Sequence, residues 1–256
     1  THDQSSAASD VYKRQEIWLL PWRILKILFA FVQAVHLVLK LKPSIVVGFG
    51  GYPSFAPALA AQMLGRQVLI HEQNAVLGRA NRVLCRLGAH LATTFGGTRG
   101  VSKSTQARTR KVGNPVRNDV LTAARGGYRY LNASRPFELL IFGGSQGASV
   151  FADTVPAAIG ELPADLKARL RVVHQVRRAD MAQTLAAYGE IGVYAEIRDF
   201  FDDLPSRMRR AHLVICRGGA STVCELSLLG APAIIVPLPG SCLLYTSPSP
   251  RDVRSS

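Results

Sequence analysis

Short apolar runs recur along the chain, each ending in a cluster of Gly, Ser, Asn or charged residues, and stretches with helical spacing lie between them. The run 139–142 is Leu-Leu-Ile-Phe and leads into Gly143-Gly144-Ser145-Gln146-Gly147-Ala148, then into helix-forming sequence. A continuous apolar run of this length suits a strand buried on both faces of a parallel sheet. Similar runs at 44–47, 68–70, 91–94, 170–174, 193–197, 213–216 and 233–236 predict further strands. Helical spacing between them predicts helices at 54–64, 78–87, 149–162, 180–188, 204–210 and 222–229, with a helix and loop over 120–136. Strands alternating with helices predict an α/β protein with parallel sheets. The polar segment 96–111 reads as a solvated loop, and Val112-Gly113-Asn114-Pro115-Val116-Arg117 as a turn and interdomain hinge.

The first periodic segment, 17–41, is apolar and long enough to raise a membrane-spanning reading. Arg23, Lys26, Gln33, His36 and Lys40 fall within one sector of a helix, and Ile24, Leu25, Leu28, Phe31, Val32, Val35 and Leu39 occupy the rest. Phe29 and Leu37 intrude on the polar sector. The pattern is that of an amphipathic helix, broken near Pro21, not a clean span. It serves either as a core helix or as a patch resting on an anionic membrane surface, with Trp18, Leu19, Trp22, Leu25 and Phe29 as its apolar members.

Composition narrows the partner class. The chain has 256 residues, enough for two domains, and 48% hydrophobic content supports a sizeable core. Thirty-one basic residues against 17 acidic give a formal charge of +14, which calls for an anionic partner. Aromatics are few and no recognition module for nucleic acid is present, so the anion is a phosphorylated substrate or lipid surface and not nucleic acid. Cys85, Cys216, Cys224 and Cys242 lack metal-ligand spacing and read as reduced thiols; no metal and no cofactor is expected.

The ends differ from the middle. Ser5–Gln15 and Cys242–Asp252 have no periodicity, and DVYKRQ and CLLYTS back-translate to an inverted repeat resembling translated sequencing-adapter sequence. The expected organisation is therefore 1–15 and 242–256 as artefact, 16–117 as an N-terminal domain and 118–241 as a C-terminal domain, an internal fragment of a longer gene.

Candidate chemistry lies where strands end. Glycines at 143, 144 and 147 allow a tight turn, Ser145 can cap the next helix, and a helix N-terminus favours an anion such as phosphate. The corner Gly48-Phe49-Gly50-Gly51-Tyr52, the turn His71-Glu72-Gln73-Asn74 and the segment Arg217–Glu225 stand in equivalent places, where open α/β sheets bind ligands. Each has a plainer reading: Glu225 as a carboxylate at a helix start, Arg117 as a solvated hinge residue, His71 as a satisfied strand-end histidine.

Taken together, GFGGY (48–52), HEQN (71–74), GNPVR (113–117), FGGSQGA (142–148) and RGGASTVCE (217–225) closely resemble the MurG family over nearly all of 16–241. The resemblance implies a GT-B fold, two Rossmann-like domains facing a cleft, truncated here at both ends. It implies an inverting transferase moving GlcNAc from UDP-GlcNAc to undecaprenyl-pyrophosphoryl-MurNAc-pentapeptide during peptidoglycan synthesis, peripheral on the cytoplasmic face of the bacterial inner membrane.

By the same resemblance, Asn74, Arg117, Ser145 and Phe201 contact the donor, with Ala220, Ser221, Thr222, Val223, Cys224 and Glu225 as the donor-binding helix start. Glu225 takes the ribose hydroxyls; Cys224 stands where serine is usual. Gly50, Gly51, Tyr52, His71, Glu72 and Gln73 fall on the acceptor side. The family's N-terminal GGTGGH-type loop, with its expected general base, and its Gln-rich donor contact have no counterpart, so the chain as written is expected to be inactive. A nucleotide-sugar or lipid-binding module without turnover is the alternative. A Rossmann oxidoreductase ranks low, because no GxGxxG follows a strand with an acidic residue at ribose distance.

Overall fold

The computed structural model describes residues 20–126, 136–143 and 149–237, with the side chains of 20–27 and of Tyr52 outside the description. The chain forms two units, dividing at Val112/Gly113, where the hinge segment begins.

The first unit carries α1 (Leu20–Leu41), β1 (Ile45–Gly48), α2 (Tyr52–Met63), β2 (Gln67–Glu72), α3 (Arg79–Arg86), β3 (His90–Thr93), α4 (Lys103–Gln106) and β4 (Thr109–Lys111). Its sheet runs β1-β2-β3-β4, all parallel. Sequential order with right-handed crossovers puts α2 and α3 on one face, and the core lies there. Ala58, Ala60 and Ala61 of α2 are fully buried against Ile70 of β2 and Leu84 of α3. Small side chains on α2 let its backbone approach the sheet closely.

The second unit carries α5 (Asn118–Ala124), β5 (Phe137–Phe142), α6 (Ser149–Gly160), α7 (Ala164–Arg169), β6 (Leu170–Gln175), α8 (Met181–Glu190), β7 (Tyr194–Arg198), α9 (Leu204–Arg210), β8 (Leu213–Arg217), α10 (Ala220–Leu229) and β9 (Ala233–Val236). Its parallel sheet has the order β7-β6-β5-β8-β9. The order reverses between β5 and β8, and such a switch point is where open α/β sheets take ligands, at the strands' carboxyl ends. The alternation along β5 feeds two cores. Leu140 and Phe142 pack with Val214, Cys216, Leu226 and Met208 on one face. Leu139 and Ile141 pack with Phe151, Val155, Ile159 and Tyr188 on the other. Over β8 and β9 that second face bears an apolar groove of about 620 Å³, lined by Leu213, Ile215, Ile234, Val236 and residues of α6.

Three expectations are corrected. The segment 96–111 is not simply a loop: β4 pairs with β3 and extends the sheet, and Ser102 caps α4 by accepting from the Thr105 amide at 3.2 Å. Thr109-Arg110-Lys111 has no apolar member because β4 is an edge strand with half-buried or exposed side chains. Helix α7 lies in the Leu162–Leu170 connection, where no helix was expected. The third correction concerns α1. It buries Ala34 and Val38, with Phe31 and Val35 partly buried, as one narrow stripe, while Leu28, Phe29, Val32, Leu37 and Leu39 are exposed. The apolar sector read from the sequence is thus split between core and solvent. Among the described residues no helix is long and apolar enough to cross a membrane.

Candidate functional site

In the second unit the switch point brings Arg117 and Glu225 together. Arg117 occupies the N-cap position of α5 with extended backbone. Gly219, also extended, occupies that position in α10 and offers no side-chain cap. The first amides of α10, at Ala220, Ser221 and Thr222, therefore carry the unsatisfied donors and positive dipole end of a helix start. Glu225 stands one turn in, its side chain only 16% exposed, with Oε1 3.7 Å from Arg117 Nε. Arg117 Nη1 lies 3.6 Å from Asp119 of the first turn of α5. Burial lifts the Glu225 carboxyl above the usual range; Arg117 pulls it back and Asp119 pushes it further up. The result is a carboxylate desolvated on the protein side, with a mobile-length cation as its partner. That pair can accept from vicinal hydroxyls while the guanidinium answers a nearby anion.

The neighbouring positions divide. Ala220 and Thr222 are half-buried and Ser221 is exposed, all at the helix start. Val223 faces inward: its side chain is buried in the core and its amide donates to Gly219 O at 3.0 Å. Cys224 is half-buried, and burial with the adjacent Glu225 raises its thiol pKa. Ser145 lies outside the described residues. Phe201, in the loop after β7, is buried, with Arg207 Cζ 4.4 Å and Arg198 Cζ 5.9 Å from the ring centroid. Its neighbour Phe200 is 66% exposed. The period of the sequence does not say which of two adjacent aromatics turns inward.

In the first unit the candidate residues meet at the carboxyl ends of β1 and β2. Gly50 and Gly51 adopt φ of 84° and 79°, a conformation that favours glycine, and Ser54 Oγ donates to both their carbonyls. The Phe49 ring stands 5.6 Å from that of buried His71. Gln73 and Asn74 are half-buried. Glu72 is 3% exposed, and its carboxylate accepts from the Asn74 amide (3.1 Å), Asn74 Nδ2 (3.0 Å), the Gly78 amide (2.9 Å) and Asn81 Nδ2 (2.8 Å). Asn81 was not among the residues read from the sequence; nothing in its spacing marks it. Trp18 and Leu19 lie outside the described residues, Trp22 and Leu25 sit on α1 without described side chains, and Tyr52 opens α2 likewise.

Two family models match: the glycosyltransferase family 28 N-terminal domain over residues 6–93 and the family 28 C-terminal domain over 138–243. A UDP-N-acetylglucosamine--N-acetylmuramyl-(pentapeptide) pyrophosphoryl-undecaprenol N-acetylglucosamine transferase of Methylobacterium sp. (strain 4-46) is 53% identical over 82% of this chain and 57% of its own length. The protein of the same description from Bartonella tribocorum is 44% identical over 93% of this chain and 61% of its own. The crystal structure of Acinetobacter baumannii MurG superposes with a TM-score of 0.68 at 33% identity, covering 85% of this chain and 60% of that one. A putative UDP-N-acetylglucosamine 2-epimerase from Listeria monocytogenes shares the fold at 14% identity, with a TM-score of 0.58. The chain spans about 57% of the length of the first of these relatives. With its parallel sheets and these matches, the chain has an α/β fold of the GT-B type and belongs to the MurG family of family 28 glycosyltransferases.

Proposed function

We propose that the chain carries the donor-binding machinery of an inverting UDP-GlcNAc-dependent glycosyltransferase, an activity that moves GlcNAc to undecaprenyl-pyrophosphoryl-MurNAc-pentapeptide. The observation that carries this reading is the Arg117–Glu225 pair beside the α10 start, at a topological switch point. Breaking the glycosidic bond leaves negative charge on UDP. The helix-start amides of Ala220–Thr222 and the Arg117 guanidinium stabilise it, and the Glu225 carboxylate accepts from the ribose hydroxyls. Holding donor and acceptor in one geometry is otherwise a positioning task. The family resemblance adds Asn74 and Ser145 as donor contacts.

The same reading places the protein peripherally on an anionic membrane, at the cytoplasmic face of the bacterial inner membrane. Leu28, Phe29, Val32 and Leu39 of α1 are exposed together. Between positions 17 and 112 the sequence holds a single carboxylate, Glu72, which is buried, whereas Arg79, Arg86, Arg99, Lys103 and Arg110 are all exposed. Exposed apolar side chains on α1, in a unit whose exposed charges are cationic, suit a surface of anionic lipid.

Calorimetric titration of UDP-GlcNAc into the chain tests the donor assignment. Saturable binding, weakened tenfold or more in Glu225→Ala, is expected; equal affinity of the two proteins would refute it. Co-sedimentation with vesicles containing phosphatidylglycerol, lost on Phe29→Ser with Val32→Ser, is expected for the membrane assignment; unchanged sedimentation would remove it.

A further inference from the structure

An ionised carboxylate offers about four lone-pair directions. Glu72 uses all of them: Oε1 accepts twice from Asn74, and Oε2 accepts from the Gly78 amide and from Asn81 Nδ2. Two of these donors, the Asn74 amide and its own side chain, define the turn after β2. The other two anchor the start of α3, where Gly78 takes the N-cap position without a side-chain cap. A carboxylate so occupied has no lone pair left to take a proton from a substrate.

The network also decides the orientation of Asn74. Amide oxygen and nitrogen are ordinarily assigned from their surroundings. Here the assignment is forced, because a carboxylate oxygen only accepts, so Nδ2 must face Glu72. The Oδ1 of half-buried Asn74 is therefore turned away from Glu72.

We propose that Glu72 is a positioning residue that fixes the Asn74 carboxamide with its oxygen turned away from Glu72, as an acceptor for a hydroxyl or amide N–H of the sugar. This rests on the donor reading above. It removes Glu72 from the groups that touch the acceptor and gives Asn74 a fixed orientation, its carbonyl oxygen available to a ligand donor beside the second Nδ2 proton. Glutamine at position 72 does not substitute, since its NH₂ would confront either the Asn74 donors or the Gly78 and Asn81 donors.

The test is a set of calorimetric titrations of UDP-GlcNAc into wild type, Glu72→Gln, Asn74→Ala, the double variant, Asn81→Ala and Glu225→Ala, alongside NMR of the Asn74 side-chain amide. Glu72→Gln and Asn74→Ala are expected to weaken binding by the same factor, about fivefold or more, and the double variant to be no weaker than either. Asn81→Ala leaves the Oε1 half of the network in place and is expected to lower thermal stability while leaving affinity within twofold. In wild type one Asn74 Nδ2 proton is expected to exchange slowly with solvent, and in folded Glu72→Gln that protection is expected to be lost. Independent, multiplying losses in the double variant, or retained protection in Glu72→Gln, would overturn the proposal. Should Glu72→Gln not fold, affinity lost in Asn81→Ala as fully as in Asn74→Ala would overturn it, and the split between them would support it. Binding abolished by Glu225→Ala but indifferent to Asn74→Ala defeats this inference alone. Wild type without affinity for UDP-GlcNAc defeats the donor reading, and this inference with it.

Discussion

Arg207→Met is the perturbation whose cost the structure lets one work out. Arg207 is 13% exposed and forks onto Glu196, Nη1 to Oε2 at 2.7 Å and Nη2 to Oε1 at 3.1 Å, while its Nε donates to Asp203 Oδ1 at 2.7 Å. Its guanidinium covers the Phe201 ring at 4.4 Å. Methionine keeps much of the apolar cover and removes the charge. Charge-assisted hydrogen bonds contribute roughly 1.5–3 kcal/mol each when well desolvated. Here Glu196 is 28% exposed and Asp203 48%, so both carboxylates rehydrate when abandoned and the figure is discounted accordingly. Loss of the cation over Phe201 adds roughly 0.5–1 kcal/mol. The expected total is about 2 kcal/mol, a fall in Tm of roughly 4–8 °C for a unit of this size.

The pH dependence carries a sign. Hydrogen bonding to Arg207 holds the Glu196 and Asp203 carboxyls below their usual values. The stabilisation is therefore present above the unfolded carboxylate pKa and is lost as pH falls through the lower folded values. Differential scanning calorimetry of wild type and variant at pH 7 and at a pH below the ordinary carboxylate range is the assay. The gap in Tm should close on acidification. A gap under 1 °C at pH 7, or one that widens in acid, would refute the reasoning.

Other predictions follow from buried groups and special backbone. His174 is fully buried, bonded through Nδ1 to Tyr188 Oη at 3.1 Å, and burial lowers its pKa to about 4. The unfolded ring binds a proton that the folded one refuses, so stability falls as pH drops below about 6.5 toward 4; urea titrations of His174→Asn should show a shallower acid loss, and an identical slope would count against it. Gly230 closes α10 at φ 65°, so Gly230→Ala should cost about 1 kcal/mol in urea unfolding, and a neutral or stabilising effect would contradict the left-handed cap. Burial raises the thiols of Cys85 to about 11 and Cys216 to about 12, while Cys224 is half-buried. Iodoacetamide with peptide mapping should modify Cys224 ahead of both, and UDP-GlcNAc should protect it; unprotected labelling in saturated protein would argue against a ligand at the α10 start.

Where side chains are buried on a repeating pattern, the sequence was readable. The central strand β5 matches its apolar run because a strand covered on both faces of a parallel sheet needs continuous apolar residues. β4 escaped because Thr109-Arg110-Lys111 is an edge, recognisable only through its pairing with β3. In α1, Ala34 and Val38 form the buried stripe, and larger neighbours such as Leu28 and Phe29 are exposed; hydropathy weighs the large residues and misses the small ones that permit close packing. At the site, motif order pointed to Arg117 and Glu225, which meet. Spacing gave no hint that Glu72 spends its acceptors inside the protein, because three of the four bonds reach backbone amides or an asparagine whose relevance appears only when the turn is closed.

The reversed strand order of the second unit has a kinetic consequence. Arg117 and Glu225 are contributed by stretches about a hundred positions apart, and Glu225 sits on α10 after β8, which pairs with β5 across the intervening β6 and β7. Closing so long a segment is slow compared with forming a hairpin or a helix, so this end of the candidate site is completed late in folding. A ligand that needs both residues therefore binds only the finished unit, raising its stability by RT ln(1 + [L]/Kd) and acting as a reporter of how much of the chain has reached that state.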